Sequence, residues 1–110
     1  FQALQNHEPI DPLAHPGNAD LTAHVDFAAL AQAVTDAGAA HSRLTPQGVF
    51  LERLGLAARA QALAATLSGA HLDVHIAAHR RLTHPAEMGT LFQVMSIHPT
   101  NAAPPPGLEP

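Results

Sequence analysis

Between Asp20 and Val25 the chain alternates strictly. Leu21, Ala23 and Val25 fall on one side; Asp20, Thr22 and His24 fall on the other. A period of two predicts a short strand or an extended lead-in. The period then changes. Phe27, Leu30, Ala31 and Val34 recur at i, i+3, i+4 and i+7, which predicts a helix over about 27–37. Asp26 fits its N-cap, where a carboxylate accepts first-turn amides and opposes the helix dipole. Gly38 fits the left-handed position that closes a helix.

Residues 1–5 alternate more weakly and predict a strand. Residues 6–19, with three prolines and a glycine, predict a loop. A strand is expected over 39–44. Thr45-Pro46 suits an N-cap followed by the first helical position, where proline's missing donor is harmless. The helix it opens runs through Phe50, Leu51 and Leu54 to Gly55. A second, over about 56–68, carries Leu56, Ala60, Leu63, Ala64 and Leu67 on one stripe and stops at Gly69. A third, over about 70–82, is cut by Pro85, which disfavours helix at His84. Thr90–Ile97 is apolar with no helical stripe and predicts a strand buried on both faces. Residues 99–110 hold five prolines and predict a disordered tail.

The length of 110 residues suits one small domain or a piece of a larger one. The apolar fraction is 46%, much of it alanine, and the only aromatics are four Phe. Such a core buries little area per residue. The net charge is −4, with five arginines, no lysine and no basic run longer than Arg80-Arg81. That argues against a nucleic-acid surface and against a polybasic membrane patch. Without cysteine, disulfides and thiolate metal sites are excluded. No apolar run approaches the roughly 18 residues of a membrane span. Heavy Ala and Arg use without Lys suggests a GC-rich bacterial genome, and with it a cytoplasmic protein.

Four segments carry a resemblance. Asp20-Leu21-Thr22-Ala23-His24-Val25-Asp26-Phe27 resembles the hallmark of the MidA-like (DUF185) S-adenosylmethionine-dependent methyltransferases. Leu4 to Pro16, with its Asp11-Pro12 and Pro16-Gly17 landmarks, is similar to the loop before it. Thr45-Pro46-Gln47-Gly48-Val49-Phe50-Leu51, with Leu54-Gly55, is similar to the family's Thr-Gln-Gly-x-Phe-Leu segment. Pro85 to Val94 is similar to its Met-Gly-x-Leu-Phe-Lys-Val strand, with Gln93 at the Lys position. The segments fall in the family's order, and the resemblance covers residues 1 to about 98.

The resemblance implies an α/β fold, the C-terminal portion of a Rossmann-like class I methyltransferase with late antiparallel edge strands. It implies S-adenosyl-L-methionine as cofactor, and a protein, at arginine, as acceptor, in connection with respiratory-complex assembly. Residues 1–98 would be the C-terminal segment of the methyltransferase domain. The family's glycine-rich cofactor loop has no counterpart here, so the pocket is expected upstream and the segment alone is expected to be inactive. Its partners would be a protein substrate and the rest of its own domain. Uncovered strand edges predict self-association. The rival expectation is a non-enzymatic α+β module that binds a partner through the helices at 46–82.

Asp20, Thr22, His24 and Asp26 are the candidate substrate-binding residues. Paired carboxylates match the flat donor fork of a guanidinium, and His24 could orient one of them or accept a proton. The alternative reading makes Asp26 only a helix cap, Asp20 only a turn cap, and His24 a buried hydrogen-bonded side chain. His71, His75 and His79 share a helical face, but no fourth ligand is in register, so a solvated polar face is expected rather than a metal site. Ser42 and Ser68 have no His or acid at a suggestive spacing, which leaves a nucleophilic triad unsupported.

Overall fold

The computed structural model describes residues 2–109, so Phe1 and Pro110, at the ends of the predicted first strand and tail, lie outside it. It is a mixed α/β structure with four helices and three small antiparallel sheets. The chain divides into two units after Leu30.

The first unit is a three-stranded antiparallel sheet. β1 (Gln2–Gln5) lies between β2 (Glu8–Ile10) and β3 (Asp20–Thr22). β2 corrects the expected loop. Asn6 and His7 both have positive φ, at 53° and 66°, and so make the two-residue turn whose twist matches a hairpin. Asn favours that conformation, and Pro9 is tolerated because β2 is an edge strand. The register pairs Ala3 with Ile10 and with Leu21, so these share one face. Gln2 pairs with Thr22, and Leu4 with both Pro9 and Asp20, on the other face. Ala3, on the central strand, is buried, but Leu21 beside it is 58% exposed.

Helix α1 spans Phe27–Asp36 and buries Val34. Its end has the two bonds of a Schellman motif. Gly38 N–H donates to Thr35 O at 3.0 Å and Ala39 N–H to Val34 O at 3.1 Å. Gly38 has φ +75°, as its position requires.

The second unit is organised by two chain segments that run antiparallel. β4 (Ala40–His41) pairs with β7 (Ile97–His98), and β5 (Thr45–Pro46) with β6 (Gln93–Val94). His41 opposes Ile97 while Thr45 opposes Val94, so 42–44 face only 95 and 96. This is a bulge of one residue. Ser42 fills it. Its N–H donates to Ser96 O at 3.1 Å, and its Oγ accepts from Ser96 N–H at 3.0 Å. Ser42 is completely buried. The expected continuous strand over Thr90–Ile97 is therefore two short pieces. Leu91 lies in the turn before β6 and is exposed, and Ile97 is exposed in a ladder only two strands wide.

α2 (Gln47–Arg53), α3 (Leu56–Ala64) and α4 (Gly69–Thr83) follow. Thr45 is not the cap of α2. It is buried in the ladder, its hydroxyl donates to Arg43 O at 3.3 Å, and Pro46 occupies the cap position. Gly69 does not end α3; it opens α4, with Ser68 as N-cap. The break before Pro85 is as expected, His84 being extended at ψ 133°.

Two glycines hold this unit together. Gly48 N–H donates to Gly89 O at 2.8 Å, and Gln47 N–H to Phe92 O at 2.9 Å. A Cβ on either glycine would collide with the Thr83 carbonyl. Only glycine lets three backbones meet there. The proline-rich stretch expected as a tail runs against this unit. Arg43 N–H donates to Glu109 O at 2.8 Å, Arg53 pairs with Glu109 at 2.8 Å, and Gly107 approaches Phe50 and Leu54. Pro105–Leu108 is a turn closed by Leu108 N–H to Pro105 O at 3.2 Å, with Pro106 and then Gly107 at φ +86°. That order suits a type II turn.

Replacing Ser42 by Ala strands the Ser96 amide and should cost about 1–3 kcal/mol. Gly89→Ala should cost about 1–3 kcal/mol or more through backbone overpacking. Urea unfolding midpoints check both; an unchanged midpoint for Ser42→Ala would remove the bulge from this account.

Candidate functional site

The segment from Asp20 to Asp26 joins β3 to α1. Strand alternation places Asp20 and Thr22 on one face of β3, beside Leu4 and Gln2. His24 follows in the non-helical lead-in. Asp26 ends it as the N-cap of α1. Its Oδ1 accepts from Ala29 N–H at 3.0 Å, and its carbonyl accepts from Leu30 N–H at 3.0 Å. The cap expected from sequence is thus present. Its other carboxylate oxygen has no protein donor among the described residues.

Asp20, Thr22, His24 and Asp26 are all exposed. His24 is therefore not a buried, hydrogen-bonded side chain. Neither His24 nor Asp20 has a side-chain partner among the described residues. Val25, on the apolar side, is 62% exposed. A segment bare on both sides is open to a ligand or to further protein. Asp20 stands at the start of this extended segment and Asp26 at its end, where one carboxylate oxygen is engaged in the cap.

Sequence reasoning missed a hollow at the β1–β2 hairpin. It measures about 260 Å³ and is lined by Gln2, Leu4, Pro9, Ile10 and Pro12. Pro9 concealed β2, and without β2 there is no hairpin to form the hollow. The signal was the Asn6-His7 pair between two short runs.

The histidine row on α4 lies differently from expectation. His75 Nε2 is 2.9 Å from Ala60 O, and His79 Nε2 is 3.0 Å from Glu52 Oε1. The second contact has an ion-pair distance without hydrogen-bond alignment, so His79 Nε2 is close to a charge yet unsatisfied as a donor. These two side chains turn toward α3 and α2 because alanines at Ala60 and Ala64 leave room. Only His71 keeps a solvated position. Among the described residues, no three His, Asp or Glu converge as metal ligands.

Two of the segments singled out by sequence meet in space. Gly48 and Gln47 of one bond Gly89 and Phe92 of the other. Their role here is backbone closure. No helix of the described residues is long and apolar enough to cross a membrane.

Residues 1–45 match a family whose members are assigned as S-adenosyl-L-methionine-dependent methyltransferases. Curated relatives extend the likeness further. A protein arginine methyltransferase NDUFAF7 homolog, mitochondrial, from Drosophila melanogaster is 36% identical over 100 residues, 90% of this chain and 23% of the relative. The NDUFAF7 protein of Danio rerio, of the same description, is 33% identical over 97 residues, 88% of this chain and 23% of the relative. In Caenorhabditis elegans the homolog is 41% identical over 63 residues, 57% of this chain and 15% of the relative. The chain thus spans about a quarter of the length of the fly and fish relatives. These relatives are mitochondrial proteins of animals, which overturns the compositional expectation of a bacterial, cytoplasmic protein.

Asp26→Ala should lose about 1 kcal/mol of stability, while Asp26→Asn, an equally good cap, should lose little. Thermal unfolding of the two variants checks this. Equal losses would mean that the carboxylate charge, rather than cap geometry, supports α1.

Proposed function

We propose that this chain is part of a MidA-like methyltransferase, and that the whole protein transfers a methyl group from S-adenosylmethionine to arginine side chains of a protein. The observation that carries this reading is the likeness to arginine methyltransferases over nine-tenths of the chain. In this reading the parent acts in respiratory-complex assembly. Its fold is Rossmann-like, and residues 1–98 complete that domain as late antiparallel strands and supporting helices.

The residues present do not fit the cofactor. Gly17 leads into β3 rather than into a helix, and Gly48, at the start of α2, is closed off by Thr83 and Gly89. A cofactor cradle needs open backbone at a glycine-rich turn. In this reading the cofactor would be held by the parent's other residues.

What this segment offers is an acceptor wall. Residues 1–42 contain Glu8, Asp11, Asp20, Asp26 and Asp36 and no Arg or Lys. Such a one-signed stretch attracts a cationic side chain. Asp20 and Asp26 would hold the guanidinium in the plane that presents one nitrogen for in-line displacement. His24, beside them, would take the proton that the methylated nitrogen sheds. Thr22 would add a hydroxyl partner on the face it shares with Asp20.

In the full-length parent, the double variant Asp20→Asn/Asp26→Asn should fold normally, since Asn caps well, yet lose about tenfold or more in methyl transfer. Full transfer by the double variant to a protein acceptor would leave the segment as scaffolding. Titration calorimetry of the isolated 110-residue chain with S-adenosylmethionine should register no binding. Micromolar binding would place the cofactor cradle within this segment after all.

A further inference from the structure

The hairpin of α3 and α4 is joined along one line, Ala60 against His75 and His79, with the 2.9 Å contact from His75 Nε2 to Ala60 O at its centre. A groove opens on each side of that line. One, of about 220 Å³, lies between Ala57 and Ala64 of α3 and Ile76 of α4. The other, of about 130 Å³, lies between Leu56, Arg59 and Leu63 of α3 and Ala78 and Leu82 of α4. Leu63 is 44% exposed and Leu82 38%. Neither groove is lined by a carboxylate.

The charge here is one-sided. From residue 54 to residue 84 the chain carries Arg59, Arg80 and Arg81 against the single carboxylate of Asp73. Of the acids nearby in sequence, Glu87 is engaged by Arg80 and Glu52 lies against His79. Arg59 and Arg81 have no ion-pair partner among the described residues. An apolar trough with an unpaired arginine in its wall matches a segment that is apolar along one stripe and acidic beside it.

We propose that the Leu56–Arg59–Leu63–Leu82 groove docks an acidic amphipathic helix of a partner protein. Apolar anchors at i, i+3 or i+4 and i+7 fill the trough between the leucines. A flanking carboxylate meets Arg59, and others lie toward Arg81. The small Ala78 side chain lets the incoming helix approach α4 closely. This docking is distinct from the acceptor wall, which is acidic and would repel the same helix.

The test uses the full-length parent and a fluorescein-labelled amphipathic peptide of about five turns, with leucines on one stripe and glutamates on its flanks. Anisotropy should report micromolar binding that weakens with salt. Arg59→Glu and Leu63→Glu should each weaken it by about tenfold or more. Ile76→Glu, in the opposite groove, should leave it unchanged. A peptide with lysines in place of the glutamates should not bind. Circular dichroism checks that each variant is folded; if Leu63→Glu is not, the Arg59→Glu result decides. Several results would overturn the proposal. They are no binding, equal binding of the lysine peptide, or a loss with Ile76→Glu as large as with Arg59→Glu. Binding of phosphatidylglycerol vesicles in place of the peptide would also overturn it, as would a self-associated dimer that Leu63→Glu dissolves.

Discussion

The second unit depends on one backbone junction. Two chain segments about fifty residues apart in sequence run antiparallel, and Ser42 lets them change register without leaving an amide unpaired. A buried N–H without a partner is costly, so the bulge exists only because a side-chain oxygen replaces a ladder carbonyl. One step further along, Gly48 and Gly89 bring α2 and the start of β6 against the last carbonyl of α4. The serine supplies a hydrogen-bond acceptor, and the glycines supply the absence of a side chain. Between them they fix where three helices leave the sheets.

This explains why a unit with so little large apolar burial is ordered. Its fully buried side chain is a serine, and Thr45 beside it is also buried. Alanine-rich helices bury small areas, so hydrogen bonds and close backbone contact carry a larger share than in an aromatic core. The C-terminal prolines add to this. Their φ is fixed before folding, which lowers the entropy lost when Gly107 settles against Phe50 and Glu109 meets Arg43 and Arg53.

The first unit obeys a different constraint. Its sheet of three short strands buries Ala3 on one face and leaves Leu21 and Val25 exposed. Three strands are near the minimum for independent stability, which needs a hydrophobic face or packing against a helix. Asp20 and Thr22 belong to this sheet through their backbones, and the Asp26 carboxylate caps α1. Cap and ligand contact are compatible in one carboxylate, since the cap uses one oxygen. The acidic first forty residues and the basic α3–α4 hairpin divide the charge of the chain, so the two surfaces would attract opposite kinds of molecule.

Local rules were legible in the sequence wherever the signal and the structure were both local. The i, i+3, i+4, i+7 stripe located α1, Asp26 its start and Gly38 its end, because caps and glycine φ depend on a few adjacent residues. Pro85 marked the end of α4 for the same reason. The four segments in order carried a resemblance to the MidA-like methyltransferases, and the chain is similar to arginine methyltransferases over nine-tenths of its length. What failed was long-range. Pro9 hid an edge strand that only its pairing with Leu4 reveals. Thr45 had the chemistry of a cap but was claimed by the ladder opposite Val94. The apolar run over Thr90–Ile97 suggested burial that no second layer supplies. Ser42 looked inert because its partner, Ser96, is distant in sequence. His75 and His79 shared a face by spacing, yet what they touch was set by the alanines and the glutamate of other helices. Periodicity determines which side of an element is apolar; only the packing of one element on another decides what that side meets, since close contact depends on both surfaces at once.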